Sequence, residues 1–331
     1  MPDLRPDAQR IPEGRPVVLF ILGFGRSGTS ALTRVLSLCG ATLPSKLLGA
    51  TMDNPRGCWE PRAAIYLNEA ILRSRGSSAY DLPLRAPADT HSADRDEVWI
   101  AKIRDYFATL PTAPLVVVKE PKITASSNLW FEGARLAGFD VAAVIALRHP
   151  TEAIASIANR AGRQYYVGSS AELGSAWWLK YTLLAERDTR EVPRVVIDYA
   201  NLLDDWRREV QRINTALATD LLRSEQHSAI DEFLSPGLRH HRQCGPIVEP
   251  FGTDWVRSTY EALSAAARDK PWDQTAIDCV IEQYQSAEQG FRVAAEGARR
   301  YRNLNRLAPA LAVKVGLEVL ALAHRRRGTW A

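Results

Sequence analysis

An α/β fold with a central parallel sheet is what this sequence of 331 residues predicts, and three observations lead there. Four short apolar runs, Val17–Leu22 (VVLFIL), Leu115–Val118 (LVVV), 141–147 (VAAVIAL) and 193–197 (PRVVI), are β-branched and unbroken rather than alternating, as in strands covered on both faces. Between them lie segments with helical spacing, such as Leu32, Val35, Leu36 and Cys39, closed by Gly40 in a C-terminal capping position. The runs are followed by GFGRSGTS, KEPK, RHPTE and DYANL, three of which present a cation or a glycine-rich turn. Ligands of open α/β sheets collect beyond the carboxyl ends of the strands, so these exits predict an anion-binding crevice.

Composition narrows the function classes. Hydrophobic residues make up 46% and charged residues 24%, which excludes whole-chain disorder and fibrous repeats. The net charge, 42 − 38 = +4, does not by itself demand nucleic acid, and an anionic small molecule is enough to explain it. Cysteines 39, 58, 244 and 279 show no CxxC spacing and the six histidines no HExxH, so no metal site and no disulfide framework is expected, as in a reduced, cytoplasmic protein. Residues 1–15 are polar and Pro-rich, a flexible N-terminal tail, and the first apolar run is too short for a signal segment or a membrane span.

Residues 16–331 read as a single three-layer domain. Strand patterns stop at about residue 235, and a helical C-terminal extension is expected from about 246. Residues 299–327 carry eight basic side chains against one acidic, Glu318. The apolar stretch 307–323 contains Lys314 and Glu318 and is no transmembrane helix; it either docks on the core or rests on an anionic membrane surface, at the inner face of the membrane.

The loop Gly23 to Leu32 joins a buried strand to a helix, and its glycines let backbone N–H groups surround a phosphate. As a dinucleotide fingerprint, Gly23, Gly25 and Gly28 fit GxGxxG, but residues 42–57 (TLPSKLLGATMDNPRG) form no second strand with an acidic end. As GxxxxGK[ST], Gly23 and Gly28 fit while Thr29 stands where the lysine belongs. In the third reading the cation comes earlier, in Arg26, Ser27, Gly28, Thr29 and Ser30. That run resembles the 5′-phosphosulfate loop of sulfotransferases dependent on 3′-phosphoadenosine 5′-phosphosulfate (PAPS).

A second element supports the resemblance. Arg148 leaves the third apolar run, Pro150 and Thr151 open a helix, and Ser156 follows on its second turn. The helix N-terminus, the guanidinium and the hydroxyl then surround one dianion, which in the family is the donor's 3′-phosphate. VVIDYANLL is similar to the family's strand-then-tyrosine segment, which places Tyr199 near the adenine; Ala200 and Asn201 stand where the family has an acidic pair. The resemblance spans about 17–203. It implies a P-loop-like fold, PAPS as donor, no metal, and Arg26 stabilising the bridging oxygen.

For the catalytic base, the stretch WEPR is similar to a Trp-Glu-Pro-Arg segment of bacterial carbohydrate-type sulfotransferases and points to Glu60. Pro61 suits a first helical turn, which would place the Glu60 carboxylate at the helix N-cap. His149, read as a structural hydrogen bonder, and His91 in a polar insertion are the rival bases. Lys119 and Glu120 resemble the family's Lys-Asp-Pro-Arg turn with no assigned role. LRHHR (238–242) is either an extra set of cations beside the donor or a solvated turn, while Tyr165, Tyr166, Trp177 and Trp178 are candidate stacking faces for a sugar. The expected partners are the small-molecule donor and a carbohydrate or glycolipid hydroxyl. A nucleoside phosphate kinase with an altered loop, and a non-enzymatic nucleotide-binding module held at a membrane by the basic tail, are the alternatives.

Overall fold

The computed structural model describes residues 14–52, 54–84, 92–164, 169–222, 227–234, 247–249, 252–287 and 310–326. The strands are β1 (Val17–Leu22), β2 (Leu47–Leu48), β3 (Glu60–Pro61), β4 (Leu115–Val118), β5 (Asp140–Leu147) and β6 (Arg194–Asp198). Four of them make the main sheet in the order β4-β1-β5-β6, every pair parallel. β2 and β3 form a separate antiparallel pair. Residues 42–57 add no strand to the main sheet beyond one bridge between Thr42 and Val116, as the rejection of the dinucleotide reading requires.

All six residues of β1 are buried, and they alternate between two cores. Val18, Phe20 and Leu22 face one side, together with Trp130, Trp177, Trp178, Val256 and Tyr284. Val17, Leu19 and Ile21 face the other, with Leu32, Val35, Leu36, Val210 and Ile213. A strand buried on both faces has no polar side to show, which is why these runs read as unbroken apolar segments. The result is a three-layer α/β fold.

On the second side lie α1 (Thr29–Leu38), α8 (Trp206–Leu217) and α9 (His227–Phe233). The first side carries α2 (Arg62–Ser74), α3 (Ser92–Phe107), α4 (Ser127–Leu136), α6 (Ala171–Asp188), α10 (Trp255–Ala266) and α11 (Gln274–Ser286). α5 (Pro150–Gln164) and the short α7 (Tyr199–Asp204) start at the ends of β5 and β6. A last helix, α12 (Ala310–Arg326), meets α2: Arg62 and Glu318 form an ion pair at 3.0 Å without hydrogen-bond geometry, and the Tyr66 hydroxyl donates to the Lys314 carbonyl at 3.3 Å. The apolar stretch of the tail is thus attached along one edge. Among the described residues no helix is long and apolar enough to cross a membrane.

The strand order decides where a ligand goes. From β1 the chain moves outward to β4 on one side, then returns past β1 to β5 and β6 on the other. The connections therefore diverge between β1 and β5, and a crevice opens above their carboxyl ends. At that point Gly23 has φ 123°, and a Cβ there would sit 2.7 Å from the Ala146 carbonyl oxygen of β5. Only glycine lets β1 leave the sheet so close to its neighbour.

Candidate functional site

The exits of β1, β5 and β6 each deliver a side chain to this crevice, and the exit of β4 reaches it through Ser30. The loop after β1 holds Arg26 in the left-handed region at φ 79° and Gly28 at φ 84°. A Cβ on Gly28 would lie 2.2 Å from the Tyr199 ring, so the first residue of α7 fixes the loop from the far side of the sheet. α1 begins at Thr29 with Gly28 as N-cap and no side-chain cap. Its first-turn amides and dipole face the crevice, which favours an anion.

The cations converge around this helix start. Arg26 Nε donates to Ser156 Oγ at 3.0 Å, across 130 positions of sequence, and Arg148 Nη1 donates to the Arg26 carbonyl at 3.1 Å. Arg148 is oriented by Glu152, Nε to Oε2 at 2.9 Å, and its guanidinium carbon stands 4.9 Å over the Tyr199 ring. Its Nη2 has no hydrogen-bond partner among the described residues. Burial pushes the Tyr199 hydroxyl above its ordinary range, with Arg148 opposing the shift. The cleft is lined by Arg26, Gly28, Thr29, Ser30, Arg148 and Tyr199, together with Ala31, Asn54, Arg56, Gly57 and Phe233. Three arginines and no carboxylate among these residues give the lining a positive charge.

Two sequence-named residues sit differently from expectation. Ser27 is buried, outside the lining, and its amide is taken by the Phe24 carbonyl at 3.2 Å. Ser156 likewise does not line the cleft; it acts on it by orienting Arg26.

The other wall is built from residues 46–61. Glu60 is not the N-cap of α2. Pro61 is, in an extended conformation, while Glu60 lies in β3 paired with Leu48. Pairing with Leu47 and Leu48 holds Pro61 extended at ψ 123°, and the Arg62 amide bonds the Lys46 carbonyl, so the helix starts one residue later and the Glu60 side chain is released for another partner. That partner is Lys119, at the end of β4 and 1% exposed, whose ammonium donates to Glu60 Oε1 at 2.7 Å, the Cys58 carbonyl at 2.7 Å and Ser30 Oγ at 3.0 Å. An ammonium has three donors, and all are used. Glu60 and Lys119 themselves lie outside the cleft lining and meet it through Ser30.

Trp59, between Cys58 and Glu60, has φ 59°. Its indole N–H donates to the Arg56 carbonyl at 3.2 Å, and Arg34 stands 4.6 Å over its ring.

Beneath this wall Glu120 turns the opposite way from Lys119. It accepts from the Lys122 amide at 3.1 Å and from the Asn68 side chain, with Asn68 held by Trp130. Burial pushes its carboxyl up to about 7, against the pull of Lys122. Lys122 bridges Glu120 and Glu69, whose charges hold its ammonium protonated despite burial.

The rival bases fare as follows. His149 packs edge-on against Tyr260 with centroids 5.0 Å apart, and its Nδ1 makes no hydrogen bond among the described residues, so it is a packing residue rather than a hydrogen bonder. Burial lowers its basicity, with Glu152 opposing. Trp177 and Trp178 are buried in the core and offer no stacking face. His91, Tyr165, Tyr166 and LRHHR lie outside the described residues.

Arg56, Asn54 and Phe233 escaped the reading of the sequence. The turn NPRG carried a signal for the first two, a cation beside glycine next to the WEPR segment. Phe233 carried none, since it reaches the cleft from α9, where its carbonyl accepts from Arg56.

No family model matches this chain, and no curated protein matches it. Among solved structures, it is similar to the sulfotransferase domain from the Synechococcus PCC 7002 olefin synthase, at 18% identity, covering 82% of this chain and 96% of that one with a TM-score of 0.41. It is also similar to the sulfotransferase domain from the curacin biosynthetic pathway, at 15% identity, covering 80% and 100% with a TM-score of 0.41. Likeness at this level transfers no residue role.

Proposed function

We propose that this protein transfers a sulfuryl group from PAPS to a hydroxyl, carried on a carbohydrate or glycolipid. One observation supports the reading most: Arg26 and Arg148, from the exits of β1 and β5, are joined with Ser156 into one cationic group beside the uncapped start of α1. A donor with phosphates at both ends of its ribose needs two cationic positions a few ångströms apart, and this group supplies them.

In this reading Arg148 takes the 3′-phosphate through Nη2, while the α1 amides and Arg26 take the 5′-phosphosulfate. Tyr199 packs beside the base. The acceptor oxygen attacks sulfur as the bond from sulfur to the 5′-phosphate oxygen breaks. Its proton passes to the Glu60 carboxylate, and Arg26 balances the charge gathering on the departing phosphate. The Lys119 ion pair holds the Glu60 carboxylate in one orientation.

The same lysine argues against phosphoryl transfer. Ser30 holds the position at which a P-loop hydroxyl binds Mg²⁺, and a fixed ammonium already stands 3.0 Å from it. Two cations on one hydroxyl repel, so the charge a nucleotide kinase draws from its metal is supplied here by side chains. Isothermal titration with adenosine 3′,5′-bisphosphate and with ATP plus Mg²⁺ tests the reading. The bisphosphate should bind at least tenfold more tightly, and turnover in EDTA should add the mass of one SO₃ to the acceptor. Preference for ATP with Mg²⁺, or loss of activity on chelation, overturns it.

A further inference from the structure

Of the large hydrophobic side chains exposed among the described residues, five of nine lie on α12. Leu311, Val315, Val319 and Leu322 follow one another at spacings of four, four and three, so they form a single stripe along the helix. They are far out of the protein: Leu311 is 71% exposed and Val319 59%. The flank beside the stripe faces inward, with Ala321 buried, the Lys314 carbonyl bonded to Tyr66, and Glu318 held by Tyr66 and Arg62 of α2. Tethering along one edge leaves the apolar stripe presented outward.

The charges around the stripe name its partner. Arg325 and Arg326 close the helix and are exposed, Lys314 sits on its border, and the sequence on either side adds Arg299, Arg300, Arg302, Arg306 and Arg327. A second copy of the chain would bring an equally basic helix to the contact, and the like charges would oppose it. An anionic bilayer offers hydrocarbon for the stripe and phosphate for the arginines. We infer that α12 lies flat on the surface of an anionic membrane, with its apolar stripe between the lipid headgroups and its basic end on their phosphates. Seventeen helical residues span about 25 Å, a length suited to lying along a bilayer. The inference stands on this helix alone and does not depend on the reaction proposed above.

Co-sedimentation of the full chain with vesicles tests it, with no donor or acceptor present. Vesicles of phosphatidylcholine with about one third phosphatidylglycerol should carry the protein down at low salt, and vesicles of phosphatidylcholine alone should not, since each basic residue near an anionic surface contributes about 1 kcal/mol. Raising the salt should release it. Val315→Glu/Val319→Glu should lower the bound fraction at least tenfold, and so should Arg325→Gln/Arg326→Gln, with melting temperature and affinity for adenosine 3′,5′-bisphosphate unchanged. A protein that stays in solution with the anionic vesicles overturns the inference, as does equal binding to both vesicle types. A dimer in analytical ultracentrifugation that Val315→Glu/Val319→Glu splits, with no vesicle binding by either, assigns the stripe to a second copy instead.

Discussion

The two walls of the cleft use their cations in opposite ways. On the β1–β5 wall, Arg26 and Arg148 line the cleft, Arg148 donating to the Arg26 carbonyl and Arg26 to the Ser156 hydroxyl. On the wall made by 46–61, Lys119 is buried and spends its three donors on the protein itself. A cation reserved for a ligand can be removed at the expense of binding alone. One that holds a wall together cannot be removed without loosening that wall, so stability and activity are coupled on the second side and separable on the first.

Substitutions on the two walls sharpen this contrast. Glu60→Gln keeps size and one acceptor for Lys119 while removing the proton acceptor, so single-turnover rates should fall by about 10² to 10⁴ with bisphosphate affinity intact. A normal rate would remove Glu60 from the chemistry. Lys119→Met deletes one partner of a buried pair and should lower unfolding free energy by about 3 kcal/mol or more, together with the rate, in urea titrations. Should that variant melt like the wild type, the coupling of stability and activity on this wall is gone.

The exit of β6, next to the β1–β5 wall, has a pH signature of its own. Burial pushes Asp198, which caps α7 through the Ala200 amide at 2.8 Å, up to about 6 from 3.8. The folded chain therefore holds that proton more tightly than the unfolded one between about pH 4 and 6. Stability attributable to Asp198 falls as pH rises through this window, by at most about 3 kcal/mol, and is flat above it. Asp198→Asn keeps the cap, so the difference in urea midpoint between variant and wild type should grow from pH 4 to pH 6. A constant difference would place the titration elsewhere. The smallest effect is expected of Arg148→Ala, which should weaken adenosine 3′,5′-bisphosphate about tenfold to a hundredfold, since charge-assisted hydrogen bonds contribute about 1.5 to 3 kcal/mol. Adenosine 5′-phosphate should bind as before, and equal losses for both ligands would detach Arg148 from the 3′-phosphate.

The same contrast separates what the sequence discloses from what it hides. Val17–Leu22, Leu115–Val118 and their partners announce a parallel sheet because burial on both faces leaves a chemical trace in every residue. Arg26, Arg148 and Tyr199 are legible because each follows a strand, and the switch in connection between β1 and β5 brings strand ends together. The wall of 46–61 has no such regularity. Pro61 suggested a helix start that would make Glu60 a cap, and only the structure shows Lys119 claiming that carboxylate from a strand 59 positions away. Phe233 is beyond local inference altogether, because nothing near it in sequence marks α9 as a neighbour of Arg56.

Trp59 carries a consequence for the order in which the site comes apart. A bulky side chain at φ 59° costs about 1 to 2 kcal/mol, and contacts of its ring with Arg34 and the Arg56 carbonyl help to hold the conformation. That left-handed residue is what turns the Cys58 carbonyl and the Glu60 carboxylate toward one ammonium. Releasing the ring relaxes the backbone, and the wall can then open without disturbing β1. In amide hydrogen exchange, the Cys58 and Trp59 amides, bonded to Gly49 and Leu48, should therefore exchange through local opening long before the amides of Val17–Leu22, which are released only when the whole sheet unfolds. The wall of 46–61 is a latch kept under torsion, on a frame that does not move with it.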